Sequence, residues 1–136
     1  MNLIDQLKRD EGMKLKPYKD SVGKLTIGIG RNLDDVGINE LEAEWLLHND
    51  IFRAEAALEK VLPWTADLDE IRRAALINMT FNMGIGGLLG FKNTLAAIQE
   101  GRYNDAADGM LESKWATQVG PRAHRLALQI KTGEWQ

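Results

Sequence analysis

Apolar residues recur at helical spacing from the first turn of the chain. Leu3, Ile4 and Leu7 begin a stripe, and Asn2 stands where an N-cap belongs. Glu11 falls on the same stripe, within about 60° of Ile4 and Leu7 at 100° per residue. Gly12 follows at a position suited to a helix C-terminus. The pattern predicts a helix over 3–11 with Glu11 on its buried face. The period then falls to two. Residues 17–20 and 25–29 read as short strands, with Ser21, Val22, Gly23 and Lys24 enough for a hairpin turn. Along the second strand Leu25, Ile27 and Ile29 share one face, and Thr26, Gly28 and Gly30 the other. The apolar face is expected to bury. The glycine-bare face is expected to stay open to a ligand or another backbone.

The run R-N-L-D-D-V-G-I reads as a short polar connector. Asn39 with Glu42 then has the spacing of a capping pair. Leu41, Trp45, Leu46, Phe52 and Leu58 carry a helix that stops before Pro63. About 20 residues make it about 30 Å long, enough to join two lobes. Asp67 and Glu70 repeat the cap spacing for a helix through Met83. Ala74, Ala75, Leu76, Ile77, Met79 and Phe81 leave it almost no polar face, so it is expected to be the central buried helix. G-I-G-G-L-L-G reads as a turn. Helices over 92–100 and 103–112 follow, broken at Gly101. Pro121 suits N1 of a last helix to Lys131, which Gly133 ends.

These elements describe a mostly helical α+β fold with two lobes in one domain. A small hairpin lobe spans 12–38, a connecting helix 39–60, and a helical lobe 61–136 together with 1–11. At 136 residues and 44% hydrophobic content the chain can build a real core. The net charge of −3 gives no case for nucleic acid. Its distribution adds more. Residues 1–32 hold seven Lys/Arg against four acids, 113–136 hold four against one, and the middle holds six against fifteen. Basic ends suit an anionic polymer, although uneven solvated faces give the same count. The chain has no cysteine, so no disulfide scaffold, and fits a reducing cytosol. His48 and His124 are isolated, and no metal or cofactor signature is present. The first residues lack the apolar core of a signal peptide. The longest uncharged run, 74–91, holds Asn78, Thr80, Asn82 and four glycines, so no stable membrane association is expected.

Candidate chemistry centres on Glu11. A carboxyl on an apolar stripe is desolvated, which favours the protonated form that a general acid needs. An ordinary solvated helix glutamate is the alternative. The wider pattern E-G-x-x-L-x-x-Y-x-D-x-x-G-x-x-T-I-G-x-G, over 11–30, is long and ungapped. It resembles the phage-type lysozymes, the T-even phage lysozyme-like glycoside hydrolases that include endolysins. R-R-A-A-L-I-N-M-x-F-x-M-G, G-F-x-N-T-L, S-K-W, P-R-A-x-R and T-G-E-W continue the resemblance in the same order. It covers nearly the whole chain. The main departure is length: relatives have more residues where this chain has only Arg31 to Ile38, so the small lobe is expected to be trimmed.

The resemblance implies an N-acetylmuramidase that cleaves peptidoglycan, released from the host cytoplasm to the wall with holin help during phage or prophage lysis. A catalytically weak wall-binding module is the alternative. The family pattern makes Glu11 the general acid, Asp20 the group that activates or orients a water, and Thr26 the group that holds it. That is an inverting arrangement, with room for water between the carboxylates. Gly30, Asn32, Phe81, Asn82, Thr94 and Arg122 match substrate-binding positions, although Phe81 could be core and Arg122 one of several exposed arginines. Gly109 replaces a family Asn, which removes a sugar contact. Trp115 and Trp135 match packing positions. A monomer is expected. Arg31 replaces a family His that pairs with an acid on the long helix, so an Arg31–Asp50 ion pair is expected.

Overall fold

The computed structural model describes residues 1–136. It is α+β, with seven helices and one three-stranded antiparallel sheet. Contacts divide it into two compact units, Met1–Leu46 and Leu47–Gln136. The sequence pattern grouped 1–11 with the helical lobe, whereas the contacts group them with the sheet.

In the first unit α1 (Leu3–Glu11) is capped as its sequence indicates. Asn2 Oδ1 accepts the Asp5 N–H at 2.9 Å, and Gly12, at φ 73°, donates its N–H to the Lys8 carbonyl. Its stripe is not a buried face. No residue of α1 is buried, and Leu3 and Ile4 are 66% and 65% exposed. Glu11 is itself exposed, where the stripe had placed it on a buried face. Strand β1 (Lys14–Lys19) pairs with β2 (Leu25–Gly28), and β2 with β3 (Arg31–Asn32). The β1–β2 register is irregular between Lys14 and Tyr18, where Pro17 has no N–H for the ladder. Strand β3 falls in the stretch read as a connector, because two residues are too few to show alternation.

Burial along β2 reverses the expectation. Thr26 is only 3% exposed, while Ile29 is 39% exposed. Thr26 lies mid-sheet between Tyr18 and Asn32. Ile29 sits in the tight β2–β3 turn between Gly28 and Gly30, both at positive φ. The capping pair forms: Glu42 accepts the Asn39 N–H at 3.1 Å, and Asn39 accepts the Glu42 N–H at 2.8 Å. The Arg31–Asp50 pair does not form. The cap brings Glu42 within 2.8 Å of Arg31, and Asp50 pairs with Arg53 less than one turn away on α2 (Glu40–Val61).

The second unit holds the core, where Leu58, Leu76, Met79, Leu88, Ile98, Met110 and Ile130 are fully buried. Helix α3 (Glu70–Leu89) is capped by Asp69, which accepts the Arg72 N–H; Asp67, the expected cap, ends a 3₁₀ turn. Gly84, at φ 77°, breaks α3, but helix resumes to Leu89 through the stretch read as a turn. Helix α3 buries Ala75, Leu76, Met79 and Thr80 while Asn78 and Phe81 are exposed, so it is amphipathic rather than buried all round. Gly101 separates α4 (Lys92–Gln99) from α5 (Tyr103–Leu111). Helix α6 (Lys114–Val119) was not foreseen; Ser113 caps it by accepting the Ala116 N–H. Helix α7 (Pro121–Thr132) ends at a left-handed Gly133. Trp115 is buried edge-on against Phe91, 5.9 Å between centroids. Trp135, expected to pack, is 63% exposed. No single helix is long and apolar enough to cross a membrane.

Arg72 locks α3 to the end of α7. Its Nε donates to the Ile130 carbonyl at 2.6 Å and its Nη2 to the Lys131 carbonyl at 3.2 Å, while Asp69 pairs with Nη1. The guanidinium also lies 3.7 Å from the centroid of the Tyr103 ring. Carbonyls that α7 cannot satisfy internally thus gain a cationic donor. Arg72→Ala is expected to cost about 2 kcal/mol, read as a lower urea midpoint. A second expectation concerns pH. The Arg31 hydrogen bond, then the Asn39 N–H, hold the Glu42 carboxyl below the usual glutamate range. The link is therefore complete above the ordinary glutamate pKa and is lost as pH falls through the lowered value. Arginine stays charged, so nothing changes between pH 6 and 8. A carbon-detected NMR titration should show Glu42 titrating low, and Arg31→Gln should move it up.

Candidate active site

The first unit carries Glu11 at the end of α1, Asp20 and Gly30 in the two turns of the sheet, and Thr26 within β2. The β1–β2 turn is organised around the Lys24 peptide. Asp20 donates its N–H to the Lys24 carbonyl at 2.9 Å. Asp20 Oδ1 in turn accepts the Lys24 N–H at 2.8 Å and the Val22 N–H at 3.0 Å. Aspartate favours such turns because its carboxylate can bond backbone a few residues on. The Thr26 hydroxyl donates to the same Lys24 carbonyl at 2.9 Å. Asp20 and Thr26 are thus tied to one backbone residue, each in a set orientation. Asp20 Oδ2 keeps its lone pairs free, and so does Thr26 Oγ1.

Glu11 has no ion-pair partner, and its carboxyl lies against the backbone of Gly30. A Cβ built on Gly30 would stand 2.7 Å from Glu11 Oε2 and 2.9 Å from Cδ. Gly30 also has φ 74°, which L side chains rarely adopt. Glycine is required there twice over. Asn32 uses both ends of its amide on Asp35, donating Nδ2–H to Oδ2 at 3.0 Å and accepting the Asp35 N–H at 2.9 Å.

The second unit carries the other expected positions. Phe81 is 44% exposed and lines a cavity of about 410 Å³ with Ile77, Asn78 and Arg122. Arg122 is fixed there: its Nε and Nη2 both donate to Asn78 Oδ1, at 3.0 and 2.8 Å. Asn82 Oδ1 accepts the Trp115 indole N–H at 2.8 Å, which turns its NH₂ group outward. Thr94 is buried and lines a cavity of about 640 Å³ beside Gly109 and Trp115. Lys24 and Asn78 were not singled out from sequence. Lys24 acts through backbone atoms, and Asn78 meets Arg122 from 44 positions away, so neither role leaves a local signal.

A carboxylate at the end of α1, a second carboxylate and a threonine on an antiparallel hairpin beside a glycine turn, and a helical unit after them define a lysozyme-like fold. Residues 8–129 match the phage lysozyme family. A Dictyostelium discoideum protein described as probable T4-type lysozyme 1 is 34% identical over 97% of this chain and 95% of its own length. The endolysin of Salmonella phage P22 is 30% identical over 81% of this chain and 79% of its own length. The pre-baseplate central spike protein Gp5 of Enterobacteria phage T4 is 31% identical over 98% of this chain and 28% of its own length. The chain belongs to the phage lysozyme family and so to the glycoside hydrolases that act on peptidoglycan. The first of these alignments spans 161 positions, so that relative has residues this 136-residue chain lacks.

Gly30→Ala should leave the secondary structure intact, cost about 1–2 kcal/mol for the left-handed backbone, and displace the Glu11 carboxyl. Cell-wall turbidity should then clear at least about 10-fold more slowly. Wild-type clearing would show that Glu11 does not depend on contact with residue 30.

Proposed function

We propose that the chain is an N-acetylmuramidase. It cleaves the β-1,4 bond between N-acetylmuramic acid and N-acetylglucosamine, with water as nucleophile and inversion at the anomeric carbon. The observation that carries this reading is the Lys24 clamp. Two backbone N–H groups occupy Asp20 Oδ1, leaving Oδ2 to take a proton. The Thr26 proton is committed to the Lys24 carbonyl, so its oxygen can only accept a further hydrogen bond. A water donating one hydrogen to Asp20 and the other to Thr26 presents its lone pair to the sugar.

In the reaction Glu11 gives its proton to the glycosidic oxygen as the C1–O bond breaks. The water oxygen bonds to C1 from the opposite face, and its proton passes to Asp20. Charge stays balanced, and the scheme calls for no cofactor. In the second unit the Asn82 NH₂ group, the Thr94 hydroxyl and the Phe81 ring are assigned to substrate binding, a role the family pattern supports. Gly30 lines the Glu11 side. Arg122 supplies positive charge for an anionic polymer. Asn32 supports the turn and leaves substrate contact to its neighbours. The protein acts as a monomer in phage or prophage lysis and is held in the host cytoplasm until a holin opens the way to the wall. It binds no nucleic acid and keeps no stable membrane association.

Glu11→Gln should bind wall fragments with near wild-type affinity and lose at least about 100-fold in turnover, because the amide keeps the shape without the proton. Retained turnover would remove Glu11 from that role. Thr26→Glu places a carboxylate at the water's position and should trap a covalent glycosyl adduct, seen as a mass increase of the protein. Unmodified protein with normal products would mean that residue 26 does not face the water.

A further inference from the structure

The Lys24 carbonyl is one edge of a peptide group whose other edge is the Leu25 N–H. That N–H donates to Asp34 Oδ2 at 2.7 Å. A trans peptide is planar and turns as one piece, so a bond that fixes the N–H also fixes the carbonyl. The Asp20 N–H and the Thr26 hydroxyl meet the carbonyl from one side, each at 2.9 Å. Asp34 holds the same peptide from the other side.

Asp34 stands on a turn that is itself closed by hydrogen bonds. The Asn32 carbonyl accepts the Val36 N–H at 3.1 Å and the Gly37 N–H at 3.3 Å, and Asn32 Oδ1 accepts the Asp35 N–H at 2.9 Å. The Leu33 N–H donates to the Leu25 carbonyl at 2.7 Å, so consecutive residues hold Leu25 at both of its backbone polar groups. Packing does not explain Asp34, which is exposed. The neighbouring ion pair, Lys24 Nζ to Asp35 Oδ1 at 3.1 Å, belongs to the next residue. Asp35 thus holds the Lys24 side chain, and Asp34 holds its peptide. A carboxylate is a charged acceptor, and its hydrogen bonds are shorter and stronger than those of a neutral one. Placed on the N–H of a peptide, it polarises the carbonyl and strengthens the bonds that the carbonyl accepts. The Thr26 proton is then held more firmly, and Thr26 Oγ1 is kept as an acceptor.

We propose that Asp34 is a positioning residue for the attacking water. It touches neither water nor sugar. It sets the Lys24–Leu25 peptide, and that peptide sets the Asp20 backbone and the Thr26 hydroxyl. The part played by the water rests on the muramidase reading, whereas the setting of the peptide does not.

The test compares three variants, each shown to be folded by circular dichroism. Asp34→Ala removes the acceptor. Asp34→Asn keeps an oxygen and loses the charge. Asp35→Asn removes the ion pair to Lys24 at the exposed neighbouring position. With soluble glycan strands Asp34→Ala should lower kcat about 10-fold and leave KM within about two-fold. Asp34→Asn should recover most of that loss, and Asp35→Asn should match the wild type. NMR reads the geometry directly, through the coupling across the hydrogen bond from the Asp20 amide nitrogen to the Lys24 carbonyl carbon. It should weaken in Asp34→Ala and hold in Asp34→Asn. If Asp34→Ala fails to fold, Asp34→Glu, whose carboxylate stands one methylene further out, decides by the same kcat and coupling. Wild-type kcat in Asp34→Ala, an equal loss in Asp35→Asn, or an unchanged coupling would overturn the assignment. The two readings fail separately: wild-type protein that digests no sacculi refutes the muramidase reading, and the coupling still decides whether Asp34 sets the peptide.

Discussion

The first unit depends on one backbone residue. Lys24 closes the hairpin through its carbonyl, which accepts from the Asp20 N–H and from the Thr26 hydroxyl, and through its N–H, which Asp20 Oδ1 accepts. The fold and the chemistry share these bonds. Were the turn looser, Asp20 would rotate and Thr26 could donate its proton elsewhere. Thr26, at 3% exposure, is held within the sheet. Glu11 enters from another element, and only the bare Gly30 backbone lets it lie where it does. Preorganisation of this kind sets donors and acceptors before substrate arrives.

The second unit is held by burial, with polar ties at its seams. Leu76 and Met79 of α3, Met110 of α5 and Ile130 of α7 carry the hydrophobic part. Arg72 and Gln129 then bind α3 to α7 through backbone carbonyls, Gln129 Nε2 donating to the Ile71 carbonyl at 2.9 Å. The same device recurs at the residues proposed to bind substrate. Trp115 orients Asn82, and Asn78 orients Arg122. Asn82 and Arg122 thus each have a neighbour that limits their rotamers.

Much of this is legible in the chain. Caps declare themselves locally, so Asn2, the Asn39–Glu42 pair and Gly133 were found at their positions. The cap was misplaced by two residues because Asp67 and Glu70 have the three-residue spacing of Asn39 and Glu42, whereas Asp67 closes a 3₁₀ turn and Asp69 accepts the Arg72 N–H. Helix α6 escaped because six residues carry too little periodicity. The expected burial of Glu11 failed because helical spacing shows which residues share a face and says nothing of what covers it. The family pattern led to Glu11, Asp20 and Thr26 by resemblance. It was silent on the Lys24 peptide, and for Arg31 it pointed to Asp50, whereas the cap already brings Glu42 near.

The central claim is that a water held between Asp20 and Thr26 attacks the sugar opposite the departing oxygen. Proton NMR of the first products from soluble glycan strands, recorded before mutarotation, tests it directly. The account predicts that the new reducing end appears first as the α-anomer and reaches the α/β equilibrium only later. A first product in the β configuration, or a 1,6-anhydro sugar formed without water, would contradict it.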